Sequence, residues 1–231
     1  MEHLRELRKR IVWSALFFAV FFVACFSLSD SLFAWLMTSV PQEIQARTDS
    51  LIGPFKMKVN IGLYFGAFLA LPFMIFQGYA FVRPALRVKE DNTFKIFIGG
   101  GFFLLAGAIA FTHSILPYLI QALYTFVPQS RDVLIEADIN HYISLILTIY
   151  LGFSILFQVP LVVFLSIFQG FVESRVYREN RKWVVVILLI LCAIFSPPNV
   201  ESMVLLFLPL YSLFEISVLL GHFLHQRRVR A

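Results

Sequence analysis

The sequence predicts an all-α polytopic membrane protein with six transmembrane helices and both termini on the cytoplasmic side. Three observations carry this. Hydrophobic residues make up 59% of the 231 residues, and the mean hydropathy is +0.81, more apolar surface than one water-soluble core hides. The apolar residues fall into six runs. Lys and Arg gather in alternate connections between those runs.

Crossing about 30 Å of hydrocarbon takes about 20 helical residues, and the runs are matched to that length in order. Residues 11–28 form span one, behind the charged stretch MEHLRELRKR. That start resembles a secretory signal peptide, but no small-residue cleavage site follows and equally strong runs come later, so a permanent span is expected. Spans two, three and four are 59–80, 96–120 and 143–168. Span five, 183–195, lies between charge and Ser196-Pro197-Pro198-Asn199, and at 1.5 Å per residue it reaches only about 20 Å. Span six, 203–224, follows at once. A Pro-Pro pair cannot continue a helix, so the short last two helices form a tight hairpin with Pro197, Pro198 and Asn199 at its turn. The whole chain, 1–231, reads as a single membrane domain.

Orientation follows from the cations. Arg5, Arg8, Lys9 and Arg10 precede span one; Arg83, Arg87, Lys89 and Lys95 separate spans two and three; Arg175, Arg178, Arg181 and Lys182 join spans four and five; Arg227, Arg228 and Arg230 follow span six. The opposite side carries only Arg47, Lys56, Lys58 and Arg131. The longer outer connections, 29–58 and 113–142, hold enough Leu, Ile and Phe to pack as caps with short helices.

Gly62, Gly66 and Ala70 recur every fourth residue in span two, a face that admits another helix backbone. Pro72, Pro117, Pro160 and Pro209 lie within or near spans, where they bend helices and make the bundle concave. Cys25 and Cys192 sit in apolar runs without CxxC spacing, as packing residues. Intramembrane polar groups are costly and hence functional suspects. They are Gln158 in span four and Glu215 in span six, each suited to line a wet cavity or to meet a polar group of a partner helix; the plain alternative is an interhelical hydrogen bond for Gln158 and interfacial water at the cytoplasmic end for Glu215. On the cytoplasmic face, Glu6 and Glu90 stand in basic segments. A carboxylate takes a guanidinium by two parallel hydrogen bonds, so the two suit arginines of a partner. Glu6 also stands four residues before Arg10, the spacing of a helical ion pair.

The order of these segments carries a resemblance. His3-Leu4-Arg5-Glu6-Leu7-Arg8-Lys9-Arg10 resembles the HLxELRxR opening of the TatC family, the multispanning receptor subunit of the twin-arginine protein translocase. Phe81-Val82-Arg83-Pro84-Ala85-Leu86 followed by Glu90 resembles its first cytoplasmic loop, and Ser196-Pro197-Pro198-Asn199 with Leu213-Phe214-Glu215-Ile216 resembles its last hairpin. The four motifs are collinear over nearly the whole chain. The resemblance implies a site for the twin-arginine signal peptides of folded cargo, with Glu6 and Glu90 as acceptors, Arg8 and Phe81 shaping the site and Pro84 fixing the loop. It further implies a scaffold for TatA and TatB-type single-span subunits, self-association, and transport driven by the proton-motive force. Gln158 stands where many members carry a glutamate, Asn199 where an aspartate is common, and Arg83 is unusual in its loop.

No enzymatic activity, cofactor, metal or nucleic acid is expected, and the partners are peptide, subunits and lipid. With no transit peptide before span one, a bacterial cytoplasmic (inner) membrane is expected. A secondary transporter would need a broken-helix polar site framed by an internal repeat, which this sequence lacks. An intramembrane hydrolase would need partners for His113 and His141, both placed in an outer connection, and neither GxSxG nor HExxH accompanies them.

Overall fold

A computed structural model describes residues 2–38, 46–47, 51–82, 92–124, 137–195 and 200–230. Its elements are α1 (Glu2–Ser27), α2 (Ser29–Met37), β1 (Ala46–Arg47), α3 (Gly53–Val82), α4 (Asn92–Tyr124), β2 (Ala137–Asp138), α5 (Ile139–Phe168), α6 (Ser174–Glu179), α7 (Arg181–Phe195) and α8 (Val200–Arg230). The chain is an all-α membrane protein. Among the described residues, α1, α3, α4, α5 and α8 are long and apolar enough to cross a bilayer. Helix α7 has 15 residues, about 22 Å at the usual rise.

The helices run past the apolar stretches at their ends because backbone groups in a bilayer find partners only inside the helix. This overturns one expectation: His113 and His141 are not in a connection but within α4 and α5. Pro72, Pro117, Pro160 and Pro209 all lie inside helices.

Helix α5 is the centre of the bundle. Of its most apolar stretch 61% is buried, against 6% for α1, so α5 is enclosed by protein while α1 lies mostly at the surface of the bundle. α5 packs on α3, α4, α7 and α8, and α1 lies along α3. Close approach of α1 depends on missing side chains. A Cβ built on Gly66 would stand 2.9 Å from the Phe22 backbone, and one on Gly62 would stand 3.1 Å from Phe26 Cβ. Cys25 and Cys192 are buried free thiols.

Each end of the bundle is tied by polar contacts. At one end α2 forms a short cap, Lys58 Nζ donates to Asp30 Oδ2 at 2.8 Å, and β1 pairs in parallel with β2, Ala46 opposite Ala137. There His113 stacks on Trp35 with ring centroids 4.7 Å apart, and its Nδ1 lies 3.0 Å from Tyr150 Oη. At the other end α5 stops with Gly170 at φ +75°, where the Phe171 N–H reaches back to Ser166 O at 2.9 Å, the C-cap that favours glycine. Ser174 Oγ then meets His222 Nδ1 at 2.8 Å.

A candidate binding groove on the basic face

Helix α1 starts in charge and becomes apolar within three turns. Glu6, Arg10, Trp13 and Phe17 follow one another at spacings of four, three and four, so they share one face. That face meets the end of α3 and leaves a groove of about 490 Å3 lined by Arg5, Glu6, Lys9, Arg10, Trp13, Phe17 and Gln77. Below its mouth Phe17 stacks on Phe73 with centroids 4.5 Å apart, and Phe21 adjoins the same ring at 5.8 Å. The groove therefore passes from charged to aromatic surface along the α1–α3 seam.

The Glu6 carboxylate already holds a guanidinium. Arg10 Nη2 donates to Glu6 Oε1 at 3.1 Å, and Arg10 Nη1 donates to Gln77 Oε1 of α3, also at 3.1 Å. Both side chains of the ion pair are 29% exposed, a half-wet setting in which a fork-shaped cation keeps an advantage over a hydrated ammonium. Arg8, two residues from Glu6, is exposed and does not line the groove. Phe81 is half-buried and lies one helical turn beyond Gln77 on α3. Pro84 and Glu90 lie outside the described residues, as do Pro197, Pro198 and Asn199. Sequence reasoning did not anticipate Gln77, Trp13 and Phe17. The repeat through Glu6, Arg10, Trp13 and Phe17 was a readable signal for the last two, whereas Gln77 joins them only across 67 residues of chain.

The two intramembrane polar groups lie apart from this groove. Gln158 is 1% exposed, and its Nε2 donates to Gly101 O of α4 at 3.0 Å, while its Oε1 has no hydrogen-bond partner among the described residues. Glu215 accepts from Arg181 Nη2 at 2.8 Å and from the Tyr211 hydroxyl at 2.8 Å. Its charge is thus paired within the hairpin of α7 and α8.

The fold and groove define an integral α-helical membrane protein whose basic face presents a carboxylate among cations. Residues 2–209 match the family described as Sec-independent protein translocase protein (TatC). The chain belongs to this family. It is 29% identical over 223 residues to Sec-independent protein translocase protein TatCy of Bacillus subtilis, covering 96% of this chain and 87% of the relative. It is 28% identical over 229 residues to TatC of Halalkalibacterium halodurans, covering 98% and 90%. Two crystal structures of the twin arginine translocase receptor TatC superpose on it. One, solved in DDM, gives a TM-score of 0.79 at 28% identity, covering 95% of this chain and 99% of that one. The other gives 0.74 at 29% identity, covering 96% and 99%. The chain is a component of Tat-pathway protein transport, resident in the membrane, and not an enzyme.

Proposed function

We propose that this chain is the signal-peptide receptor and assembly scaffold of a Tat translocase in a bacterial cytoplasmic membrane. It crosses six times, with α7 as the short fifth span and both termini in the cytoplasm. Cation placement supports the topology: α1 begins, α5 and α7 are joined, and α8 ends in basic segments, the bias expected of the cytoplasmic side.

The observation that carries the receptor reading is the Glu6 carboxylate accepting a guanidinium from Arg10 in a groove that turns aromatic below it. The same chemistry suits the arginine pair of a twin-arginine signal peptide, with Glu6 and Glu90 as the two acceptors. Phe81, Pro84 and Arg8 shape the site, and the apolar part of the peptide follows the α1–α3 seam. TatA and TatB-type subunits then gather on the bundle, further copies of the chain associate, and the proton-motive force drives transport. Gln158 and Glu215 are the intramembrane polar groups of this scaffold. The α7–α8 hairpin, with its turn at Pro197, Pro198 and Asn199, thins the bilayer locally and lowers the cost of moving folded cargo.

The test is binding of a twin-arginine signal peptide to the purified protein in nanodiscs, against a twin-lysine peptide and the Glu6→Gln and Glu90→Gln variants. Arg-selective binding that drops by about tenfold or more in each variant, the scale of one charge-assisted hydrogen bond, supports the reading. Equal binding of both peptides by a folded protein overturns it.

A further inference from the structure

Arg10 occupies the atom that a ligand arginine has to reach. Its Nη2 sits 3.1 Å from Glu6 Oε1, and its Nη1 is held 3.1 Å from Gln77 Oε1, so one guanidinium spans α1 and α3 across the groove. Among the described residues, Oε1 is the only atom of the Glu6 carboxylate that is engaged. Seated there, Arg10 neutralises the carboxylate and repels a second cation, so an arginine or lysine arriving from outside the chain meets the full charge of Glu6 only once Arg10 withdraws. Lys9, which also lines the groove, makes no such bond among the described residues. The cations of the groove are therefore not equivalent: one of them is a competitor with a fixed seat.

We propose that Arg10, anchored by Gln77, is the affinity-setting residue of the groove, an internal guanidinium that every incoming cation must displace from Glu6. This rests on the receptor reading of Glu6 and adds to it. Displacing a resident partner multiplies the dissociation constant by the inverse of the fraction of molecules in which the site is free. That factor belongs to the protein alone, so it weakens arginine and lysine peptides equally. Arg10 sets how tightly peptide is held, and hence how readily it is released, without contributing to the choice of arginine over lysine. Gln77 matters because it holds the competitor in place; without that anchor the long side chain loses more entropy on pairing and its claim on Glu6 weakens.

The experiment compares wild type, Arg10→Gln, Gln77→Leu and Lys9→Gln in nanodiscs, with twin-arginine and twin-lysine signal peptides as probes and thermal unfolding as a folding check. Lys9→Gln removes the same charge as Arg10→Gln and so reports general repulsion. Gln77→Leu changes no charge and keeps the proposal testable if Arg10→Gln fails to fold. Beyond the Lys9→Gln effect, Arg10→Gln should tighten both peptides by the same factor, about two- to fivefold for a half-exposed ion pair. Gln77→Leu should tighten both by a smaller common factor. Arg10→Gln binding no tighter than Lys9→Gln overturns the role of Arg10, as does a change confined to one peptide. Absence of arginine-selective binding in every protein, wild type included, overturns the receptor reading and the role of Arg10 with it.

Discussion

Arg181 at the start of α7 and Glu215 on α8 are joined by a 2.8 Å ion pair, and Tyr211 donates to the second carboxylate oxygen at 2.8 Å. The bond ties the start of α7 to α8. Glu215 is 21% exposed and Arg181 50% exposed, so solvent screens part of the attraction. Replacing Glu215 with Ala removes the pair and leaves the Tyr211 hydroxyl without its acceptor. The expected loss is about 1 kcal/mol of stability, read as a lower unfolding temperature in detergent or nanodiscs. An unchanged temperature would mean that apolar packing alone positions α7.

Gly66 lies against the backbone of α1, since a Cβ there would meet Phe22 Cα and N at 2.9 Å. Backbone atoms cannot swing aside as a side chain does, so Gly66→Ala forces the helices apart at a cost of about 1–3 kcal/mol. Gly107→Ala is the control, because nothing lies within 4 Å of the new methyl and alanine is the better helix former. Thermal unfolding should fall for the first and hold or rise for the second.

Asp138 caps α5, accepting the Asn140 backbone N–H at 3.1 Å. That bond, followed by the Asn140 side chain and the nearby His141 and Lys56 charges, holds its carboxyl below the ordinary value of 3.8 despite partial desolvation. A depressed carboxylate pKa contributes stability above the unfolded-state value, and that contribution disappears as pH falls through the lower native value. Asp138→Asn keeps a capping oxygen but loses the charge. Wild type should therefore exceed this variant in unfolding temperature near neutral pH and converge with it in acid. A constant gap across the titration would refute the assignment.

Among the described residues Gln158 makes one interhelical hydrogen bond and leaves its amide oxygen without one. Leucine of similar length loses the bond to Gly101 O but also removes a buried unpaired acceptor, two effects of opposite sign and each about 1 kcal/mol. Gln158→Leu is expected to stay within about 1 kcal/mol of wild type in stability. Transport activity in cells lacking the native subunit then tests the residue's proposed partner contact, since a fold-neutral change that abolishes transport isolates that role.

Architecture was readable to different depths in different places. The central helices announced themselves because lipid demands long uninterrupted apolar runs, and the prolines at 72, 117, 160 and 209 were read inside or near spans and lie inside helices. The recurrence of Gly62, Gly66 and Ala70 foretold a close helix contact but not that its partner is α1. The histidines went astray because polar residues near the outer end of an apolar run look like loop, whereas α4 continues to Tyr124 and seats His113 on Trp35. The spacing of Glu6 and Arg10 raised their ion pair as an alternative, and it is formed.

By itself the sequence determined a membrane-resident helical chain, since hydropathy and run length are local properties that a bilayer reads directly, and its charge bias supplied the expected orientation. It also carried the collinear motifs of the TatC family. Tertiary structure alone decided which groups meet. Gln77 reaches Arg10, Arg181 reaches Glu215, and Gln158 turns to Gly101 instead of a cavity, because contacts between residues tens of positions apart depend on helix rotation and crossing, which no local pattern encodes.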